Sequence, residues 1–126
     1  SAMVADTGIF IEHLRAKDKL WTTLYKISEN QDRFISAVTL YELYMGATTK
    51  EKQRDVEELT EGFSVLPFTD SISKKAAEIY HKLRVSNQMI EFRDIFIAAT
   101  CLVNELPIVT LNKKHFKRVE GLKILR

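Results

Sequence analysis

At 126 residues, 45% of them hydrophobic and 29% charged, the chain has the make-up of one soluble globular domain, able to bury about two-thirds of its unfolded surface without covalent staples. Only four Gly and two Pro exclude a disordered or turn-rich all-β chain, and a single cysteine, Cys101, excludes a disulfide framework and a cysteine-built zinc site. The net charge of +2 permits an acidic partner or nucleic acid without demanding either. No apolar run is long enough to cross a membrane and no leader pattern is present, so a reducing, cytoplasmic compartment is expected. Ser1-Ala2 ahead of Met3 reads as a cloning scar, leaving one expected domain over 3–126.

Short apolar runs alternate with amphipathic stretches. Residues 3–6 read as a strand and 9–15 as a short helix. The spacing of Leu20, Trp21, Leu24, Tyr25 and Ile27 predicts a second helix over 18–30, with that stripe facing the core. A strand over 33–36 and a helix over 39–47 follow, then a charged helix over 50–62 that stops at Gly62. Residues 64–68 read as a strand placed at an edge by Pro67. A helix over 70–85 is expected with Asp70 or Ser71 as its N-cap, and a long apolar helix over 90–106. Residues 107–110 read as a buried strand, 113–118 as a helical turn and 122–125 as a last strand. Alternating strand and helix imply an α/β fold: a mostly parallel sheet of four to five short strands flanked by helices on both faces. Ligands of such sheets collect beyond the carboxyl ends of the strands.

Three acids stand where apolar segments change character. Asp6 closes the run Met3-Val4-Ala5, Glu42 follows Phe34-Ile35-Ser36-Ala37-Val38, and Asp94 opens Ile95-Phe96-Ile97-Ala98-Ala99. A carboxylate beside a core is costly unless compensated, and one divalent cation could compensate all three. Each acid also has a plainer reading. Asp6 could cap the helix after it, with Thr7 helping. Thr39-Leu40-Tyr41-Glu42 has the spacing of a capping box. Asp94, with Glu91 three residues earlier, could complement a helix dipole. Asn112 could cap the turn that follows it. Lys113, Lys114, His115, Lys117 and Arg118 form either a solvated basic cluster or a phosphate-contacting one. Cys101, inside an apolar helix, reads as a buried inert thiol, and His13 and His81 carry no motif. The apolar breadth of Leu40, Tyr41, Tyr44 and Met45 leaves room for a protein contact. Gly-rich phosphate loops and a nucleophile elbow are absent. An all-oxygen donor set of this kind suits Mg²⁺ or Mn²⁺.

Four blocks in order resemble the PIN-domain nucleases, and among them the VapC toxins of bacterial and archaeal toxin–antitoxin systems. They are Val4-Ala5-Asp6-Thr7, Ser36-Ala37-Val38-Thr39-Leu40-Tyr41-Glu42-Leu43, Arg93-Asp94-Ile95-Phe96-Ile97-Ala98-Ala99-Thr100 and Ile108-Val109-Thr110-Leu111-Asn112-Lys113-Lys114-His115-Phe116, followed by Gly121-Leu122. The resemblance implies a PIN-like three-layer sandwich and a metal-dependent endoribonuclease acting on structured RNA such as tRNA or rRNA. It implies Asp6, Glu42 and Asp94 as ligands of Mg²⁺ or Mn²⁺, Asn112 as a fourth catalytic position, and Thr7 and Thr110 as hydroxyls that orient them. Lys113, Lys114, Lys117 and Arg118 would grip the RNA backbone. It further implies a VapB-like antitoxin whose C-terminal segment wraps the toxin, and a homodimer. The fourth block departs from the family: Asn112 and His115 stand where many members carry acids, and Gly8 where Asn or Ser is frequent, so one metal rather than two is expected. Two other readings stay open. One is a catalytically inactive PIN-like module that binds RNA or protein. The other is a phosphoaspartate protein, against which stands Gly8 where a phosphatase motif needs a second Asp.

Overall fold

The strand β1 (Ala2–Ala5) can lie inside a sheet because Met3, Val4 and Ala5 are apolar on both faces and all are buried. The computed structural model describes residues 1–27 and 29–126. On one side β1 pairs in parallel with β2 (Asp32–Ser36), which pairs in parallel with β3 (Ser64–Leu66); on the other it pairs in parallel with β4 (Ile108–Val109). The strand order is β3-β2-β1-β4. The pairings Val4 with Phe34 and Val4 with Ile108 fix the register.

Alternation along the strands divides the core in two. Met3, Ala5, Ile35 and Val109 face one way. They meet Ile9 and Phe10 of α1 (Thr7–Arg15), Leu24 of α2 (Thr23–Lys26), Leu43 of α3 (Ala37–Gly46) and Val56 of α4 (Lys50–Thr60). Val4 and Ile108 face the other way. There they meet Ile72 and Ile79 of α5 (Asp70–Val85), Ile95, Ile97 and Cys101 of α6 (Phe92–Val103), and Phe116 of α7 (Lys113–Phe116). The result is the expected helix–sheet–helix sandwich. Fully buried Phe10, set edge-on to Phe63 at 4.9 Å, anchors the first core. Burying such a ring contributes about 2–3 kcal/mol, and the aromatic pairing adds about 1 kcal/mol.

The structure corrects several expected elements. The helix over 18–30 is a 3₁₀ turn, Lys19–Trp21, followed by the four-residue α2; residue 28 lies outside the described residues. The break is at Thr22, which is 2% exposed. Its hydroxyl donates to the Lys19 carbonyl at 2.9 Å and accepts from the Tyr25 amide at 3.3 Å, with His13 Nδ1 at 2.7 Å. A threonine used this way caps a new helix instead of continuing the old one. Leu20, Trp21 and Tyr25 are therefore exposed, and of the expected core stripe only Leu24 is fully buried. The strand over 122–125 reduces to a single parallel bridge between Ile108 and Ile124, because the two-residue β4 offers it no longer a partner. β3 ends at Leu66, ahead of Pro67, which has no N–H to continue the ladder. The N-cap of α5 is Thr69, whose Oγ1 accepts from the Ile72 amide at 3.3 Å, not Asp70 or Ser71. The helix over 90–106 is trimmed to Phe92–Val103 by extended backbone at Glu91 and by Glu105 at φ 55°.

Both α5 and α6 end on a left-handed residue that is not glycine, Asn87 at φ 55° and Glu105 at φ 55°. The amides of Gln88 and Leu106 then close onto Leu83 and Cys101 carbonyls at 2.9 Å each. Asn tolerates that conformation; Glu does so at a cost of about 1 kcal/mol. Replacing Glu105→Gly should raise the thermal midpoint by a few degrees, whereas Asn87→Gly should change it much less; paired calorimetric melts check both.

Candidate active site

The carboxyl edge of the sheet gathers four of the sequence-predicted residues. Asp6 directly follows β1, Asn112 comes shortly after β4, Glu42 projects from α3, and Asp94 lies in the first turn of α6. Together with Thr7, Glu91 and Arg93 they line one cavity of about 260 Å³. Asp6 and Asp94 are only 6% and 8% exposed.

The capping readings of these residues are not what the structure contains. Asp6 occupies the N-cap position of α1 but makes no side-chain cap; its Oδ2 accepts from Thr110 Oγ1 at 2.7 Å. Thr110 is itself held by the Asn112 amide, which donates to Oγ1 at 2.9 Å. The N-cap of α3 is Ser36, whose Oγ accepts from the Thr39 amide at 3.0 Å, so Thr39 lies inside the helix and no capping box forms. Asn112 stands at the N-cap of α7, again without a side-chain cap. Its Nδ2 donates to Asp94 Oδ2 at 3.5 Å and lies 2.8 Å from His115 Nδ1.

Glu42 is held by a buried row of hydroxyls. Thr7 Oγ1 donates to Glu42 Oε1 at 2.8 Å, Thr7 and Thr39 hydroxyls are 2.9 Å apart, and Ser36 Oγ donates to Thr39 Oγ1 at 3.1 Å. Each hydroxyl has one proton to give. Because Thr7 gives its proton to Glu42, Thr39 must donate to Thr7, and the row runs Ser36 to Thr39 to Thr7 to Glu42. The other carboxylate oxygen, Oε2, pairs with Arg93 Nη1 at 3.2 Å, and Arg93 Nη2 pairs with Glu91 Oε2 at 2.7 Å.

The acids repel one another. Burial first, and then Asp6 and Glu91, push the Asp94 carboxyl up to about 6, against the pull of Arg93 and His115. Burial also raises Asp6; the Thr110 hydrogen bond opposes this more than Arg93 does, and nearby Glu42 adds to it. Hard oxygen donors of one sign around a small cavity are the donor set of Mg²⁺ or Mn²⁺. Among the described residues no three His, Cys, Asp or Glu side chains stand at the spacing that would hold a metal ion as they lie.

Four residues have roles at the site that the sequence reading did not give them. Arg93 adjoins Asp94, but nothing local says that its guanidinium turns to Glu42. Thr39 and Ser36 were assigned to a capping box and to a strand, and only the packed structure makes them supports of Glu42. His115 Nδ1 lies 3.8 Å from Asp94 Oδ2, closer to the site than a surface cluster implies. Of the basic residues, Lys113, Lys114 and Lys117 are exposed, whereas Arg118 donates to the Met89 carbonyl at 3.1 Å and that of Gln88 at 3.4 Å, tying down the loop after α5. Burial pushes the Cys101 thiol up to about 12, which leaves it without reactive thiolate.

Thr39→Val preserves shape but removes the acceptor of the buried Ser36 hydroxyl proton and the donor to Thr7 Oγ1, and should cost about 1–3 kcal/mol in chemical denaturation. Asp94→Asn should do the reverse in metal-free protein. Because its folded pKa is raised, Asp94 contributes most to stability below the ordinary value near 3.8, and that contribution is lost as pH rises through about 6. With EDTA present, Asp94→Asn should therefore melt higher than the parent at pH near 8, by on the order of 1–2 kcal/mol after discounting for solvent screening. The gap should shrink as the pH is lowered toward about 4.

Comparison with known proteins agrees with this fold. The PIN domain family profile matches residues 3–122. Ribonuclease VapC10 of Mycobacterium tuberculosis is 34% identical over 121 residues, covering 96% of this chain and 90% of that protein. Ribonuclease VapC1 of Methanocaldococcus jannaschii is 26% identical, covering 98% of this chain and 87% of that protein. Among solved structures, VapBC2 from Rickettsia felis bound to a DNA fragment from their promoter superposes with a TM-score of 0.87 at 22% identity, covering 99% of this chain and 98% of that one. DNA-bound VapBC from Salmonella typhimurium superposes with a TM-score of 0.87 at 23% identity, covering 98% and 96%. A family match spanning nearly the whole chain and a relative this similar make the chain a member of the PIN-domain family, in its VapC ribonuclease group.

Proposed function

We propose that this protein is a divalent-metal-dependent endoribonuclease toxin that cuts structured RNA, such as tRNA or rRNA, and is restrained by a VapB-like antitoxin. The observation that carries the reading is the convergence of Asp6, Glu42 and Asp94, from three distant segments, on one cavity at the carboxyl edge. The VapC ribonuclease relatives supply the reaction class.

Asp6, Glu42 and Asp94 would hold Mg²⁺ or Mn²⁺, with Asn112 beside Asp94 as an amide donor or water ligand. A cation bound there supplies Lewis-acid stabilisation of a phosphate oxygen and a water acidified for in-line attack. The chain's own groups do the remaining work. Thr110 fixes one oxygen of Asp6 and the hydroxyl row fixes one oxygen of Glu42, so the second oxygen of Asp6 is left for the ion and that of Glu42 is shared with Arg93. Lys113 and Lys114 on α7 and Lys117 at its C-terminal cap grip phosphates, with Arg118 in a weaker position because it is engaged with backbone. Such contacts position RNA without reading its sequence. Target choice then rests on loop shape and unpaired bases.

An apolar trough runs beside the site. Cavities of about 780 Å³ and 510 Å³ share Val38 and Phe96, and the second reaches Glu42 and Arg93. Tyr41, Met45 and Phe92 are exposed along it. An antitoxin C-terminal segment laid in this trough would cover these side chains and bring a charged group to the acids; the VapBC assemblies among the structural relatives support such a partner. A homodimer contact on the same helices and a cytoplasmic site of action complete the reading; no described helix is long and apolar enough to cross a membrane.

One observation favours a second reading. No acid stands at the fourth corner, and Glu42 already has a cationic partner in Arg93, as a binding module without catalysis would show. Cleavage of total tRNA and rRNA decides between them. The expected result is cutting at discrete sites with Mn²⁺ or Mg²⁺, lost in EDTA and reduced at least about 100-fold in Asp94→Asn. Absence of cutting by the parent protein would favour the binding module, and equal cutting by both proteins would indicate a contaminant.

A further inference from the structure

We infer that Arg93 is a built-in counter-ion that occupies the metal site electrostatically until a divalent cation displaces it from Glu42. This inference rests on the metal-dependent reading of the site. Arg93 bridges two carboxylates, with Nη1 3.2 Å from Glu42 Oε2 and Nη2 2.7 Å from Glu91 Oε2. Its side chain is half exposed, whereas that of Glu42 is only 12% exposed, so the guanidinium sits at the mouth of the cavity and the carboxylate lies inside.

The two Glu42 oxygens are not equivalent. Oε1 is committed to Thr7 and through it to the Thr39 and Ser36 hydroxyls, none of which can leave without stranding a buried group. Among the described residues Oε2 is held by the half-exposed Arg93, whose other fork is already anchored on the exposed Glu91. Oε2 is therefore the oxygen that can be handed to an ion, and Glu91 is where Arg93 remains when it is. The same positive charge favours the ionised forms of both Asp6 and Asp94, so it offsets the acid cluster as a whole. A cation entering the cavity meets a like charge that must move aside, and differential binding of this sort sets an apparent affinity. In this role Arg93 and Glu91 are positioning residues; neither needs to touch the reacting phosphate.

The test is Mn²⁺ affinity by electron paramagnetic resonance, which reads the free ion and needs no turnover, on the parent chain, Arg93→Gln, Arg93→Lys and Asp94→Asn, with circular dichroism melts of each in EDTA. Arg93→Gln should bind Mn²⁺ roughly three- to tenfold more tightly than the parent, although its metal-free melt falls. Arg93→Lys keeps the charge and should bind within about twofold of the parent, a result that lost packing alone would not produce. Equal or weaker Mn²⁺ binding by a folded Arg93→Gln, with the parent binding normally and Asp94→Asn not, would overturn the counter-ion role and leave the nuclease reading standing. Tighter binding in Arg93→Lys as large as that in Arg93→Gln would overturn it as well, since charge would not be the cause. No Mn²⁺ binding by the parent would overturn both.

Discussion

Repulsion among carboxylates at a buried sheet edge is the constraint around which this molecule is arranged. Asp6 and Asp94 are almost fully enclosed, and Glu42 and Glu91 add further negative charge to the same cavity. Water cannot solvate them well, so the protein supplies the compensation: the Thr110 hydroxyl for Asp6, a three-hydroxyl row for Glu42, the Asn112 amide and His115 near Asp94, and one guanidinium across the mouth. The compensation is incomplete, since the carboxyls of Asp6 and Asp94 still sit above their ordinary range. A site left in that condition has a standing affinity for positive charge.

The fold serves this edge by keeping its strands short and its helix starts close. All four strands run parallel, so the chain leaves β1, β2 and β4 on the same side, and the residues that follow them are the ones that meet. α3 has the most demanding position. Leu43 enters one core and Val38 borders the other, Glu42 enters the cavity, and Tyr41 and Met45 face outward along the apolar trough. A partner seated in that trough would press on the helix that carries Glu42.

The regular parts of this architecture were legible because their signals are local. A strand such as Met3-Val4-Ala5, apolar on both faces, and a helix such as 92–103, apolar nearly throughout, announce their burial in their composition. The Thr39–Glu42 spacing misled because a capping box and a buried threonine beside a site acid look the same in sequence; Ser36 had already taken the cap. The helix expected over 18–30 failed for a related reason. Its apolar spacing is helical, but Thr22 can satisfy its hydroxyl against its own backbone and His13, and that local bond outweighed the pattern.

The sequence by itself determined the alternation of strand and helix, the two-faced core and the identity of the three principal acids, because hydrophobic period and carboxylates at element ends are properties of neighbouring residues. Only the tertiary structure decided what those acids touch. That Thr110 donates to Asp6 across 104 positions, that Arg93 spans 51 positions to reach Glu42, and that a buried hydroxyl row from Ser36 fixes one of its two oxygens are consequences of packing distant segments together. Hydrogen bonds and charge pairs are chosen by what lies within about 3 Å in space, and sequence order does not encode that distance.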